Sequence, residues 1–422
     1  MAFRPVARTR GNGLSNSTEI RVTPTEIPYY VKALAMALPA VMLGLQISGW
    51  VFFLPGAMQG HCDFRHLYTA GYMARTGHRS ELYDYGVEHR FQDNLVSREG
   101  IALPFNHLAY EALLFVPYSY LSYRAGYFLF LATNIALLGF AMRLVAPWAR
   151  HLRSMFFWLP TALFFTFLPV AAAFMQGQDS IILLVLFCGA LLLLSRDKMF
   201  VPGFLIGLGL FKFQIVLPVA VLFLLWRRWR FVAGFAASSA TVLAISWCLV
   251  GTVQMKVYAG SLLSMSVRET VVDQAKFNVN PSMMPNLRGL ISASVGTIVP
   301  APWTQILTSA ASLGILLWIA KRGMRRNLPE QFPLAVTAAA VLSYHLMIHD
   351  LSILLIPLLL VWDHYSVPHQ LGPTLYAASA LMFSAPAAIA LSDVHPFVVG
   401  LPLLLLLAVQ SYRSQELEVV PT

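Results

Sequence analysis

Charge is what this 422-residue chain is short of: only 11% of its residues are Asp, Glu, Lys or Arg, where a soluble domain carries roughly a quarter. Cysteine is scarcer still. Cys62, Cys188 and Cys248 are its three, scattered without disulfide or metal-ligand spacing, which excludes a cystine-stapled fold. Similarity between the two halves is also missing, and with it the internal repeats on which many transporters are built. What fills the space is apolar: 58% of the residues are hydrophobic and the mean hydropathy is +0.66. The runs 181–194, 233–250 and 375–391 are among many that a water-soluble core cannot absorb, so the solvent is a bilayer.

The net charge of +10 does not imply nucleic acid as a partner. Lys and Arg sit in short clusters between apolar runs, which is how membrane topology is encoded. Arg4, Arg8, Arg10, Arg21 and Lys32 precede the first run at 33–54, which is too long for a cleaved signal peptide. The tail 1–32 is therefore expected in the cytoplasm. Thirteen apolar segments can be marked, but if all cross, the basic stretch 143–153 lands outside. The segment 107–121 is the weakest, with only about 15 residues including Pro, Tyr and Glu. Laid on the outer leaflet instead, it lets Arg143/Arg150/Arg153, Arg196/Lys198, Arg227/Arg228/Arg230, Lys321/Arg322/Arg325/Arg326 and Arg413 all fall inside.

The expected architecture is an all-α polytopic membrane protein of about twelve transmembrane helices. One transmembrane domain spans 33–411, with a short cytoplasmic tail at 412–422. Outer loops are expected at 55–124, carrying interfacial helices, and at 251–302. The location is multi-pass in a bacterial cytoplasmic membrane, surrounded by membrane lipids.

This topology places one set of polar groups together on the outer side: loop 55–106, Gln176–Asp179, Lys212–Gln214, loop 251–302 and Tyr344–Asp350. The run 199–211 rises about 20 Å against a hydrocarbon core of about 30 Å. Such a helix cannot bring both ends to the headgroups, so the turn at Lys212 should sit in a protein-lined cavity. An ionisable group in the apolar stretch 204–225 is costly, about 2.5–3.5 kcal/mol on insertion scales. Two readings of Lys212 stand: a cation facing an anionic substrate group such as phosphate, or a lysine snorkelling from a tight turn.

Asp63 lies in His61-Cys62-Asp63-Phe64-Arg65-His66, directly after the first span. It could take a proton from an attacking hydroxyl as a general base, or be an ordinary loop carboxylate. A metal set of His61, Asp63 and His66 has no standard spacing. His345 and His349 stand at i and i+4, on one helical face, and could read a sugar or phosphate oxygen, ligate a metal, or pack at a wet helix end. Gln178 could bind sugar hydroxyls, while Asp179 beside it reads first as a helix cap. Arg65, Asn280 and Arg288 complete the substrate-binding candidates, Arg288 toward phosphate. Aromatic residues dense in 64–130 suit either sugar stacking or an interfacial belt.

From about 32 to 365 these residues resemble glycosyltransferase family 87, polyprenol-phosphate-mannose-dependent mannosyltransferases with a GT-C type membrane fold. The resemblance rests on Asp63-Phe64, then Tyr68, Ala70 and Gly71, Leu82-Tyr83-Asp84, Gly177-Gln178, and the Gly-rich helix ending in Lys212 with Pro218 beyond. The Trp226–Arg230 turn, the Asn280–Gly289 loop and His349 ahead of a Leu-rich helix complete it.

The resemblance implies a GT-C fold with Asp63 as catalytic base, His349 in the active site and Lys212 contacting the donor phosphate. It further implies a lipid-linked sugar donor, a glycolipid or glycan acceptor, and inversion at the sugar on the non-cytoplasmic side. Because the leaving group is a phosphate monoester, cationic side chains suffice for it, and neither metal nor cofactor is expected. Two other readings stay open: a polytopic lipid or sugar transporter or flippase without catalysis, and a non-catalytic membrane scaffold.

Overall fold

A chain in lipid must satisfy its backbone internally, and every regular element among the described residues is helical. The computed structural model describes residues 29–267, 280–365 and 395–412. Most of both expected cytoplasmic tails, residues 268–279 of the second outer loop and the apolar run 373–391 lie outside the described residues.

The helices are α1 (Tyr29–Met58), α2 (Phe64–Arg75), α3 (Tyr85–Leu95), α4 (Ala112–Phe115), α5 (Tyr123–Val145) and α6 (Arg150–Met155). Then come α7 (Leu159–Thr166), α8 (Leu168–Gln176), α9 (Ser180–Leu194), α10 (Phe200–Leu208), α11 (Phe213–Leu225) and α12 (Trp229–Val267). The last five are α13 (Leu287–Val295), α14 (Ala301–Gly323), α15 (Leu328–Leu342), α16 (Leu355–Tyr365) and α17 (His395–Tyr412).

Four stretches are long and apolar enough to cross a membrane: Met36–Met58, Tyr123–Trp148, Trp229–Leu263 and Ala301–Gly323. Two bent pairs raise the number to six: α7 with α8, bent by 53°, and α10 with Leu210–Leu225, bent by 66°. Ser180–Leu194, Leu328–Leu342 and Phe397–Ser411 are apolar but shorter. Long apolar helices make this an integral membrane protein. Against the expected dozen, the described residues give four to six full-length spans. One reason is specific: 199–212 and 214–226, each a separate apolar segment in the sequence, form one broken pair whose break falls at Gly209, three residues before Lys212. The segment 107–121 contains only the 3-10 turns Ala109–Glu111 and Tyr118–Tyr120 with four-residue α4 between them, too little helix to cross.

Two local devices position the site. Phe64 is fully buried in a nest of Tyr68, Tyr123, Tyr127 and Phe130, ring centroids 5.5–5.8 Å away. That nest pins the start of α2, and with it Asp63, against α5. Across the bundle, α10 packs on α12 through glycines. A Cβ on Gly203 would meet the Phe231 carbonyl oxygen at 1.9 Å, and one on Gly234 would meet that of Phe200 at 1.9 Å. Only small residues allow helix backbones to approach so closely, and the approach fixes where α10 delivers Lys212.

Candidate active site

A cavity of about 310 Å³ opens where the ends of these helices meet, lined among others by Asp63, His66, Gln178, Lys212, Arg288, His345 and His349. Its walls draw from all five polar segments that the sequence grouped together, with Asn106 from the first loop and Gln214 beside Lys212.

Asp63 occupies the N-cap position of α2 but makes no side-chain cap bond, so its carboxylate is committed elsewhere. Oδ2 accepts a hydrogen bond from Gln178 Nε2 at 2.7 Å, and its backbone N–H donates to Gln176 Oε1 at 3.3 Å. Both glutamines flank Gly177, which takes a left-handed conformation, φ +60°. A Cβ there would also strike Phe64 Cβ at 2.6 Å. Glycine is therefore required twice over: by the turn and by the fit against the residue that follows Asp63.

Lys212 is 4% exposed. Its Nζ donates to Gln178 Oε1 at 3.0 Å and pairs with Asp179 Oδ1 at 3.3 Å and Asp350 Oδ1 at 3.2 Å. An ammonium has three N–H groups to give, and three protein oxygens surround this one. Its charge is met by two buried carboxylates. The snorkelling reading does not apply, and a direct phosphate contact would have to displace one of these oxygens. Asp179, expected as a cap for α9, makes no cap bond and turns inward to Lys212. Asp350 is held by Ser180 Oγ at 3.1 Å and by the Met347 N–H at 3.0 Å.

His345 and His349 both line the cavity, but not from one helical face. Helix α15 ends at Leu342, residues 343–347 are non-helical, and His349 sits on the 3-10 segment Ile348–Leu354. Side chains have replaced the helical ladder there. Asn286 Nδ2 donates to the Ser343 carbonyl at 2.6 Å and Arg288 Nη1 to that of Tyr344 at 3.0 Å. The Arg288 guanidinium also lies 3.9 Å from the centroid of the Tyr344 ring, a stacked cation–π contact. Thus Arg288 reaches the cavity while bracing its wall.

Two expected site residues lie elsewhere. Arg65 is 2% exposed and turns away to Ser97 O at 2.9 Å and Asp93 Oδ1 at 3.4 Å, pinning the loop after α3. Asn280 is exposed and accepts from Ser282 N–H at 3.1 Å, which makes it a turn cap. His61, from the unsupported metal set, pairs with Glu99 at 2.8 Å.

Sequence reading passed over His107 and Glu111, and gave His66 and Asp179 no part in substrate binding. The signal for the first two was their i, i+4 spacing in a segment too short to span. Their side chains meet at 2.6 Å. With Asp179 they form the one group among the described residues with metal-ligand proximity, ligand atoms within 4.8 Å of one another. The donor set does not suit a divalent cation: His107 Nδ1 is engaged by Glu111, and the Lys212 ammonium already stands 3.3 Å from Asp179.

A polytopic helical membrane protein with a carboxylate, basic side chains and amides converging on one cavity has the composition of a membrane-embedded enzyme. Residues 110–349, more than half of the chain, match glycosyltransferase family 87. The chain belongs to that family and is a membrane glycosyltransferase. Gln178, Lys212, Arg288, His345 and His349 fall within the matched stretch, whereas Asp63 precedes it. Comparison with curated proteins and with solved structures yields no match.

Proposed function

We propose that this glycosyltransferase moves a hexose, mannose by the family resemblance, from a polyprenyl-phosphate donor to a hydroxyl of a lipid or glycan acceptor, with inversion. The observation that carries the reading is convergence on one cavity: a half-buried carboxylate, Asp63, shares its lining with Arg288, His345 and His349. A GT-C arrangement of about twelve spans is part of the same proposal. So is placement of the cavity on the non-cytoplasmic face, the side away from the basic clusters.

The chemistry follows from that convergence. The acceptor hydroxyl gives its proton to Asp63 as its oxygen attacks C1 of the sugar from the face opposite the phosphate. The C1–O bond breaks with its electron pair passing to the phosphate, and a polyprenyl phosphate monoester departs. Negative charge grows on that phosphate, and preorganised hydrogen-bond donors, the Arg288 guanidinium among them, stabilise it more than bulk solvent would. With Lys212 enclosed by protein oxygens, Arg288 and the two histidines take the phosphate. Leu262, Leu263 and Phe213 on the cavity wall give the first isoprene units an apolar surface.

The test is transfer of label. Purified protein incubated with radiolabelled polyprenyl-phosphate mannose and a membrane lipid extract should form a labelled product. A β-linked donor should give an α-linked glycoside by NMR. Label remaining on the donor with every acceptor, or a retained β linkage, contradicts the proposal.

A further inference from the structure

We infer that Gln178, clamped by Lys212, is the positioning residue for Asp63, an inference that rests on the reading of Asp63 as the base. The side chains form a directed chain. Asp179 and Asp350 hold the Lys212 ammonium from two sides, Lys212 donates to Gln178 Oε1 at 3.0 Å, and Gln178 Nε2 donates to Asp63 Oδ2 at 2.7 Å. An ammonium can only donate and an ionised carboxylate only accept. One orientation of the Gln178 amide satisfies both neighbours; flipped, it opposes both. The charge on Lys212 thereby sets the amide, and the amide sets the carboxylate.

The remainder of Gln178 is equally constrained. Its N–H donates to the Ala173 carbonyl at 2.8 Å and its carbonyl accepts from Asn134 Nδ2 at 3.1 Å, so the side chain starts from a fixed point. Asp63 Oδ2 is consumed by this bond, while Oδ1 has no hydrogen-bond partner among the described residues and Asp63 lines the cavity. One oxygen is anchored and the other is left for the acceptor hydroxyl. Gln178 also stands between Lys212 and Asp63 as a neutral spacer. A direct ion pair would bind the carboxylate oxygen that the reaction needs free.

Gln178 therefore acts through Asp63 and Lys212 acts through Gln178, which separates this inference from a substrate-contact role for either. Gln178→Glu keeps the acceptor for Lys212, removes the donor to Asp63 and sets two carboxylates face to face. Gln178→Met keeps the length and removes both bonds. Both variants should lower kcat by about 10²-fold, the scale of a misplaced reacting group, with KM for polyprenyl-phosphate mannose within about threefold. The double variant Asp63→Asn/Gln178→Glu exchanges the two groups: the amide now at position 63 can donate to the carboxylate now at position 178. The Tm lost in Gln178→Glu alone should return.

Lys212→Arg should keep more activity than Lys212→Met, a comparison that the Gln178 series backs up if the latter fails to fold. Gln178 variants that raise donor KM at unchanged kcat, or a double variant with no recovery of Tm, overturn the inference. If Asp63→Asn itself transfers at near wild-type rate, the base reading falls first. If Asp63→Asn is inactive and the Gln178 variants turn over normally, only the positioning role falls.

Discussion

His107 and Glu111 are one turn apart in the chain and 2.6 Å apart in space, buried beside Asp179. Burial disfavours charge on both. It pushes the Glu111 carboxyl up from 4.5 to about 7, against the pull of Asp179 and Lys212. Burial and then the Lys212 charge push the His107 imidazole down from 6.5 to about 4, against Asp179, Asp350 and Asp63. The stability consequences have opposite signs. Glu111 contributes below about pH 4.5 and loses that contribution as pH rises through about 7. His107 contributes above about pH 6.5 and loses it as pH falls through about 4.

In the intact pair these slopes offset over a shared window. Glu111→Gln should uncover the histidine, so that Tm falls on acidification from pH 6.5 toward 4. His107→Asn should uncover the carboxyl, so that Tm falls as pH rises from 4.5 toward 7. Thermal unfolding in detergent across that range decides it, and two variants that track the wild type contradict it. At this scale the sequence was legible where a polar residue broke an apolar run, as at Lys212 and Gln178. It misled where short-range roles compete: Asp179 reads as a cap and is a counter-ion, whereas Arg65 and Asn280 read as substrate contacts and are loop braces. Nothing in the local sequence records which way a side chain turns.

Helix packing in this protein depends on a few backbone approaches. Gly234→Ala places a Cβ 1.9 Å from the Phe200 carbonyl oxygen and 2.9 Å from the Phe204 nitrogen, atoms that cannot swing aside. It should cost about 1–3 kcal/mol, the usual range for overpacking, and lower Tm. Gly139 on α5 has nothing within 4 Å of its Cβ position, so Gly139→Ala should be neutral or stabilising by up to about 1 kcal/mol. Equal losses in both variants would contradict the packing account. Apolar periods gave the helices, but not all of their breaks. The break at Gly209 was marked by a charge three residues on, at Lys212. The break at Phe167, ahead of Pro169 in α8, and the non-helical 343–347 segment were not. The latter exists because Asn286 and Arg288, more than fifty residues away in the chain, take its carbonyls.

For the molecule as a whole, the topology proposed from the basic residues puts the cavity on the non-cytoplasmic side. Introduced singly into a variant with its three native cysteines removed, Gly100→Cys and Arg150→Cys place thiols at exposed positions. A membrane-impermeant thiol reagent added outside intact cells should label the first and spare the second; the reverse would invert the topology. The meeting of five distant segments in one cavity was anticipated from charge and helix length together, because both restrict which turns share a membrane face.

The central claim is that Asp63 removes the acceptor proton in that cavity. Its most direct test is the transfer rate of Asp63→Asn, which keeps shape and the contact with Gln178 while losing basicity. The rate should fall about 10²–10⁴-fold, the usual contribution of a general base, with Tm and donor binding retained. A folded Asp63→Asn protein that transfers sugar within a few-fold of the wild-type rate would contradict it.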